Sequence, residues 1–169
     1  MRRLLLAPAL AAALIAGPAV SEPPDPGAEP LVINGCRIEP ATNCSYAKLE
    51  RANLKGANLE DASFHGAVLT GADLREANLQ GVDFQVGNLS KADLRNAHLA
   101  GAHLFGNDMR GAQVQGADLR RVNLQDAKLD AANLEGADLT GAILGNVRLD
   151  GATWTDGRVC AAGSAGVCR

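Results

Sequence analysis

The chain has 169 residues, 21% of them charged, and a formal net charge of −3. That length suits one domain, and an acidic balance without a basic stripe excludes nucleic acid held through its phosphates. Only 3% of the residues are aromatic, which argues against a conventional core built on large rings.

Residues 1–21 read as a secretory signal, with Arg2 and Arg3 as the charged start, Leu4–Ala16 as the apolar run and Ala19-Val20-Ser21 as the small-residue cleavage site. The rival reading is a retained anchor, but Pro8, Gly17 and Pro18 interrupt an already short run. The first cysteine is Cys36, too far from the apolar run for a lipoprotein, and Arg2-Arg3 lacks the rest of a twin-arginine pattern. The expectation is a periplasmic or extracellular protein with no membrane attachment after cleavage. Loss of the two arginines leaves 14 basic and 19 acidic residues, a net charge of −5.

Residues 22–30 carry four prolines and read as an extended, disordered leader. Residues 31–46 read as an N-terminal cap that includes a short strand at Leu31–Asn34. Residues 47–157 are the body of the chain and residues 158–169 a C-terminal cap.

The body repeats every five residues. Read in fives centred on Leu49, Leu54 and Leu59, the pattern is Ala–(Asn/Asp)–Leu–x–Gly through 22 units, ending at Trp154. Of the centres, 17 are Leu and the rest Phe64, Phe84, Met109, Val114 and Trp154. Two residues before the centre stands Ala in 17 units, the exceptions being Val82, Gly87, Asn107, Val122 and Val147. Two residues after it stands Gly in 11 units and Asp or Asn in five.

A period of five fits neither a helix nor a flat strand. Five helical steps overshoot a full turn by roughly 140°, so the leucines would spiral around the whole surface. On a strand five is odd, so successive leucines would face opposite ways. They share one interior only if the chain turns a corner every five residues. Gly, Asn and Asp tolerate the left-handed or tight backbone that a corner needs. Stacked coils of the parallel β-helix kind follow, although the period alone does not set the number of sides.

The units Ala52-Asn53-Leu54-Lys55-Gly56, Ala72-Asp73-Leu74 and Gly136-Ala137-Asp138-Leu139 resemble the pentapeptide-repeat family. The resemblance implies an all-β fold, a right-handed four-sided parallel β-helix with 20 residues per coil. For 22 units that means about five and a half coils and, at about 4.8 Å per coil, a rod roughly 26 Å long. Four cysteines flank the repeat, Cys36 and Cys44 before it and Cys160 and Cys168 after it. Four cysteines allow three pairings. With the rod's ends that far apart, and bridged Cα atoms needing to lie within about 7 Å, local bridges Cys36–Cys44 and Cys160–Cys168 are expected to staple the ends. Free thiols and a zinc site are the rivals, but neither pair has zinc-site spacing. Cys44, five residues before Leu49, falls where a first inward centre would lie. The tail Thr153–Cys160 resembles a C-terminal cap of exported members.

Such an interior is Leu and Ala throughout and leaves no pocket for a substrate, so function is expected on the outer faces. Three faces carry mixed charges, among them Asp73, Arg75, Asp93 and Arg95. The fourth shows Ser63, His65, Asp83, Gln85, His103, Phe105, Asn123, Gln125 and Ile143, with one charge and two outward apolar side chains. Low charge with an exposed aromatic marks a candidate partner face, for an unknown protein or for self-association; the bland reading is two isolated apolar residues. His65, Asp83 and His103 on successive coils suggest a surface metal site, and Ser63, His65 and Asp83 have the residue types of a hydrolytic triad. A flat solvated ladder is a poor coordination sphere and offers no oxyanion hole. No catalytic residue, metal or cofactor is therefore assigned. The resemblance also implies an alternative, since some intracellular members mimic DNA and bind gyrase; interleaved basic residues and the export signal oppose it. Within the repeat, Phe64 and Phe84 are expected to stack, Gly87 to make room for the Phe84 ring, and Asn107 either to hydrogen-bond to coil backbone or to mark a corner that differs from the rest.

Overall fold

The computed structural model describes residues 31–169; the signal and leader assigned to residues 1–30 lie outside them. Strand β1 (Val32–Ile33) pairs antiparallel with β2 (Cys36–Arg37), Val32 opposite Arg37. The turn between them is Asn34-Gly35, both at positive φ (49° and 81°), the dipeptide that a two-residue hairpin with matching twist favours. The Asn34 amide also donates to Lys48 O at 2.7 Å. The Cys36–Cys44 disulfide then ties this hairpin to the first coil, with Cα atoms 5.3 Å apart and both residues buried.

From Asn43 onward the chain stacks on itself in parallel. Each bridge joins residues 20 apart, from Asn43 with Ser63 to Asn133 with Thr153. The leucine N–H points along the rod to the next coil (Leu54 N to Asp73 O, 2.8 Å), and the following coil answers in the opposite sense (Asp73 N to Ala52 O, 2.9 Å). Between bridges the chain turns. The centre's carbonyl accepts from the N–H three residues on, as Leu49 O does from Ala52 N. The residue two after each centre, from Tyr46 to Gly151, lies at φ between 55° and 74°. A closed i to i+3 bond with positive φ at i+2 is the requirement of a type II turn. Glycine meets it without strain at Gly56, Gly71 and Gly101, but Arg51, Val86, Lys91 and Ala131 adopt the same conformation.

These corners turn the period of five into one shared interior. The Leu centres and the Ala residues two before them are almost wholly buried from Leu59 to Leu134. Phe64 and Phe84 stack as expected, with centroids 5.3 Å apart and planes at 26°. The expectation for Gly87 is corrected. The space above Gly87 is taken by the Asn107 side chain, one coil on, rather than by the Phe84 ring: a Cβ at Gly87 would come within 3.1 Å of Asn107 Nδ2 and 3.0 Å of two backbone carbonyls. Asn107 is fully buried and donates to Phe84 O, while its own Oδ1 finds no partner. Two departures from alanine 20 residues apart are thus one packing unit.

At the far end the corner shifts. The left-handed residue is Gly157, not Asp156, and Trp154 N donates to Arg158 O. Asp156-Gly157 therefore reverses the chain, and Val159 and Ala165 pair antiparallel with Thr153 and Arg148. The Cys160–Cys168 disulfide (Cα–Cα 4.9 Å) holds this tail as a loop. It covers two sides of the last coil, those of Leu149 and Trp154. On the other two sides the N–H groups of Leu139 and Leu144 donate to no group among the described residues, and both side chains are only partly buried.

Two outcomes are predicted. Leu94→Asp buries an unpaired carboxylate in a core two side chains wide and abolishes the cooperative thermal transition followed by circular dichroism; a native-like melt would contradict this register. Gly87→Ala alone lowers unfolding free energy by about 1–3 kcal/mol through overpacking. Adding Asn107→Ala restores at least half of the loss, giving a coupling energy in a denaturation double-mutant cycle that independent sites would lack.

Candidate functional site

The outward side chains are set by the residues on either side of each centre. The Asn or Asp before the centre accepts, through Oδ1, the backbone N–H of the residue after it, as in Asn53 to Lys55 N (3.2 Å), Asp83 to Gln85 N (2.9 Å), Asn133 to Glu135 N (3.0 Å) and Asp138 to Thr140 N (2.9 Å). This brace spans the inward residue and explains the preference for a short polar side chain at that position. The periodicity displays that preference without revealing its cause.

Where Asp precedes and Arg follows the centre, a second interaction is added. The guanidinium forks onto the carboxylate in Asp73/Arg75, Asp93/Arg95, Asp108/Arg110 and Asp118/Arg120, with Nη2–Oδ2 distances of 2.6 Å in each. Arg75 also reaches Asp93 on the next coil at 3.6 Å, so the stacked aspartates are separated by positive charge. The Arg75 fork, opposed by desolvation, lowers the Asp73 pKa to about 2. The corresponding arginines lower Asp93, Asp108 and Asp118 in the same way. These acids are neutralised within the rod.

On the fourth face such forks are missing among the described residues. Its side chains form a looser network. His65 packs edge-on against Tyr46 (centroids 5.8 Å apart), and its Nδ1 lies 3.8 Å from Asp83 Oδ2. Ser63 Oγ lies 3.1 Å from Ser45 Oγ, so Ser63 engages a serine of the preceding coil instead of His65. His103 stacks beside Asp83 in the ladder, yet no three His, Cys, Asp or Glu among the described residues are grouped to hold a metal ion. Asp126 accepts from Asn146 Nδ2 at 2.6 Å. A solvent-open cavity of about 370 Å³ lined by Ala100, Arg120, Arg121 and Thr140 lies on another face.

Phe105 and Ile143 are exposed, at 36% and 53%. Two more residues belong with them, Tyr46 at 72% and Val86 at 60%. Both are left-handed corner residues at the edge of the fourth face. Sorting only the neighbours of each centre misses them, because a corner side chain also projects outward. Every large apolar side chain exposed between Asn43 and Thr153 then lies on this face or at the corner it shares with the face of Leu49; the others, Leu31, Val32, Val159 and Val167, are on the terminal segments.

A family profile described as pentapeptide repeats matches residues 42–85, 88–121 and 117–153, in 8 copies. No match was found among curated proteins. Among solved structures, the chain is similar to a pentapeptide repeat protein from the thylakoid lumen of Arabidopsis thaliana, with 34% identity over 50% of this chain and 59% of that one, at a TM-score of 0.49. It is similar also to HetL, a pentapeptide repeat protein involved in heterocyst differentiation regulation in the cyanobacterium Nostoc sp. strain PCC 7120 (38% identity, 70% of this chain and 62% of that one, TM-score 0.32). A third is Rfr23 from the cyanobacterium Cyanothece 51142 (29% identity, 66% and 91%, TM-score 0.45). The chain spans about three fifths of the length of the first two.

The forks predict a specific titration. A carboxylate whose folded pKa is lowered contributes stability above its unfolded value, near 4, and loses it as the pH falls through the folded value. Carboxyl-carbon NMR should therefore show Asp73 titrating at about 2. Arg75→Gln should return the midpoint to about 3–4. An unchanged Asp73 midpoint in that variant would show that the fork is not the cause.

Proposed function

Because this chain belongs to the pentapeptide-repeat family, whose members form right-handed four-sided β-helices, we propose that it is an exported, non-enzymatic interaction scaffold. It is a rod of about five and a half coils that binds protein through its fourth face. The observation that carries this reading is the distribution of side chains. Tyr46, Val86, Phe105 and Ile143 expose apolar surface on one side, whereas Asp73, Asp93, Asp108 and Asp118 on other sides are spent on internal forks. Low charge around exposed aromatics suits the centre of an interface. The internal forks also weigh against a DNA-mimicking surface, which needs acids left free to attract a basic partner.

Export is supported by the signal pattern of Met1–Ser21 and by two disulfides that suit an oxidising compartment. A solid Leu/Ala interior supports a binding rather than a catalytic role, because the reacting group of an enzyme needs a concavity that excludes water.

In-cell photo-crosslinking tests the reading. A photoreactive residue replacing Phe105 is expected to give a discrete adduct, and one replacing Arg75 is expected to give none. Equal smears, or nothing from either position, would remove the fourth face as a binding surface.

A further inference from the structure

The fourth face is nearly complementary to itself, and we infer that its occupant is a second copy of this chain, laid antiparallel and face to face. This rests on the face being a binding surface, as proposed above, and adds the identity of the partner.

The complementarity comes from the order of residues along the rod. Six rows of the face stack in sequence: Asn43–Tyr46, Ser63–Gly66, Asp83–Val86, His103–Gly106, Asn123–Asp126 and Ile143–Asn146. Two copies that meet through a shared face are related by a two-fold axis in the plane of contact. If the axis runs along the strands between the third and fourth rows, it reverses row order and keeps each column in place. The third row then meets the partner's fourth, the second its fifth and the first its sixth.

In that register, Asp83 faces the partner's His103, and by symmetry the reverse contact forms as well. Near the axis Phe105 lies over the partner's Gln85 and beside the partner's Val86. His65 faces the partner's Gln125, with the partner's Asp126 in the next column. At the two ends Tyr46 falls on the partner's Asn146 and Ile143 on the partner's Asn43. The one acidic residue of the central rows is thus matched with an imidazole. An imidazole N–H donates to a carboxylate whether or not the ring is charged, so the pairing does not require protonation. The parallel arrangement, with its axis along the rod, lacks this match: every row would meet itself with its columns exchanged, setting Asp83 against the partner's Gln85 and His103 against the partner's Phe105. Foreign partners impose no reason for an acid and an imidazole to fall symmetrically about the middle of six rows.

The footprint is modest. Six rows at about 4.8 Å and a width near 10 Å give roughly 300 Å² of flat contact per copy, below a standard interface. The dimer is accordingly weak, with a dissociation constant of roughly 10–500 µM.

Sedimentation velocity on the full chain, expressed with its own leader, tests this from about 5 µM to 1 mM, a range that brackets such a constant. The expected result is a reversible monomer–dimer shift. Asp83→His and His103→Asp each place like groups across the axis and should weaken the dimer by about tenfold or more. The double swap Asp83→His/His103→Asp restores the pairing and the dimer. Circular dichroism checks that each variant folds, and Gln85→Glu is a second probe, because it sets a carboxylate against the partner's Phe105. A wild-type chain that stays monomeric throughout would overturn self-pairing. A foreign adduct from position 105 would then leave the fourth face standing as a binding surface. A dimer indifferent to Asp83→His, His103→Asp and Gln85→Glu would overturn the proposed face-to-face register, and absence of any position-105 adduct would remove the face as well.

Discussion

A chain that places an apolar residue every fifth position can bury them together only by bending at every fifth position. Here each bend up to Gly151 is a left-handed residue two after the centre, and everything else depends on it. The bend sends the leucine N–H groups up the rod and closes each corner with its own hydrogen bond. It also points the corner side chain outward. A left-handed conformation costs a non-glycine residue roughly 1–2 kcal/mol. Arg51, Glu76, Val86, Lys91, Arg121 and Ala131 all bear that cost. The cost is offset because each coil buries leucines at about 1.5–3 kcal/mol apiece and satisfies its backbone against the neighbouring coils. Cooperation between coils, rather than local preference, holds these corners.

The same reasoning separates what could be read in the sequence from what could not. Burial of the centres follows from the period, which survives in one dimension. The 20-residue stacking, and with it the local disulfides and the Phe64/Phe84 stack, rests on the number of sides, which the family resemblance implies and the period alone does not set. The left-handed corners at arginine, lysine and valine do not, since those residues carry no local preference for that backbone; only the frame of their neighbours imposes it. Gly87 and Asn107 each look like a blemish in the repeat. Their relation appears only when position 87 lies beneath position 107, where the amide fills the room left by the missing methyl. The open half of the last coil was equally hidden, because the shift from Asp156 to Gly157 decides which two sides the tail can reach.

The candidate face was partly legible for a similar reason. Phe105, Ile143, His65 and Asp83 sit beside centres, where outward direction follows from the period alone. Tyr46 and Val86 stand at corners, and a corner's direction depends on backbone geometry. With them included, exposed apolar surface between Asn43 and Thr153 gathers along one side and its edge, while on the other three sides Asp73, Asp93, Asp108 and Asp118 are forked by neighbouring guanidiniums. The proposed binding role of the fourth face rests on that contrast. The capped ends contribute in another way, since an uncovered coil is an edge that invites further strands.

The corner itself offers the most direct test of this account. At Gly101, with φ at 71°, an added Cβ would meet no atom within 4 Å. Gly101→Ala therefore isolates the cost of the left-handed backbone from any clash. Gly145 lies outside the left-handed region, and a Cβ there makes ordinary contact with Gln125. Thermal unfolding of both variants should show Gly101→Ala melting roughly 3–8 °C lower, for a loss of about 1–2 kcal/mol. Gly145→Ala should be unchanged or slightly stabilised, through a less flexible unfolded chain. Equal behaviour of the two variants would contradict the claim that left-handed corners organise the rod.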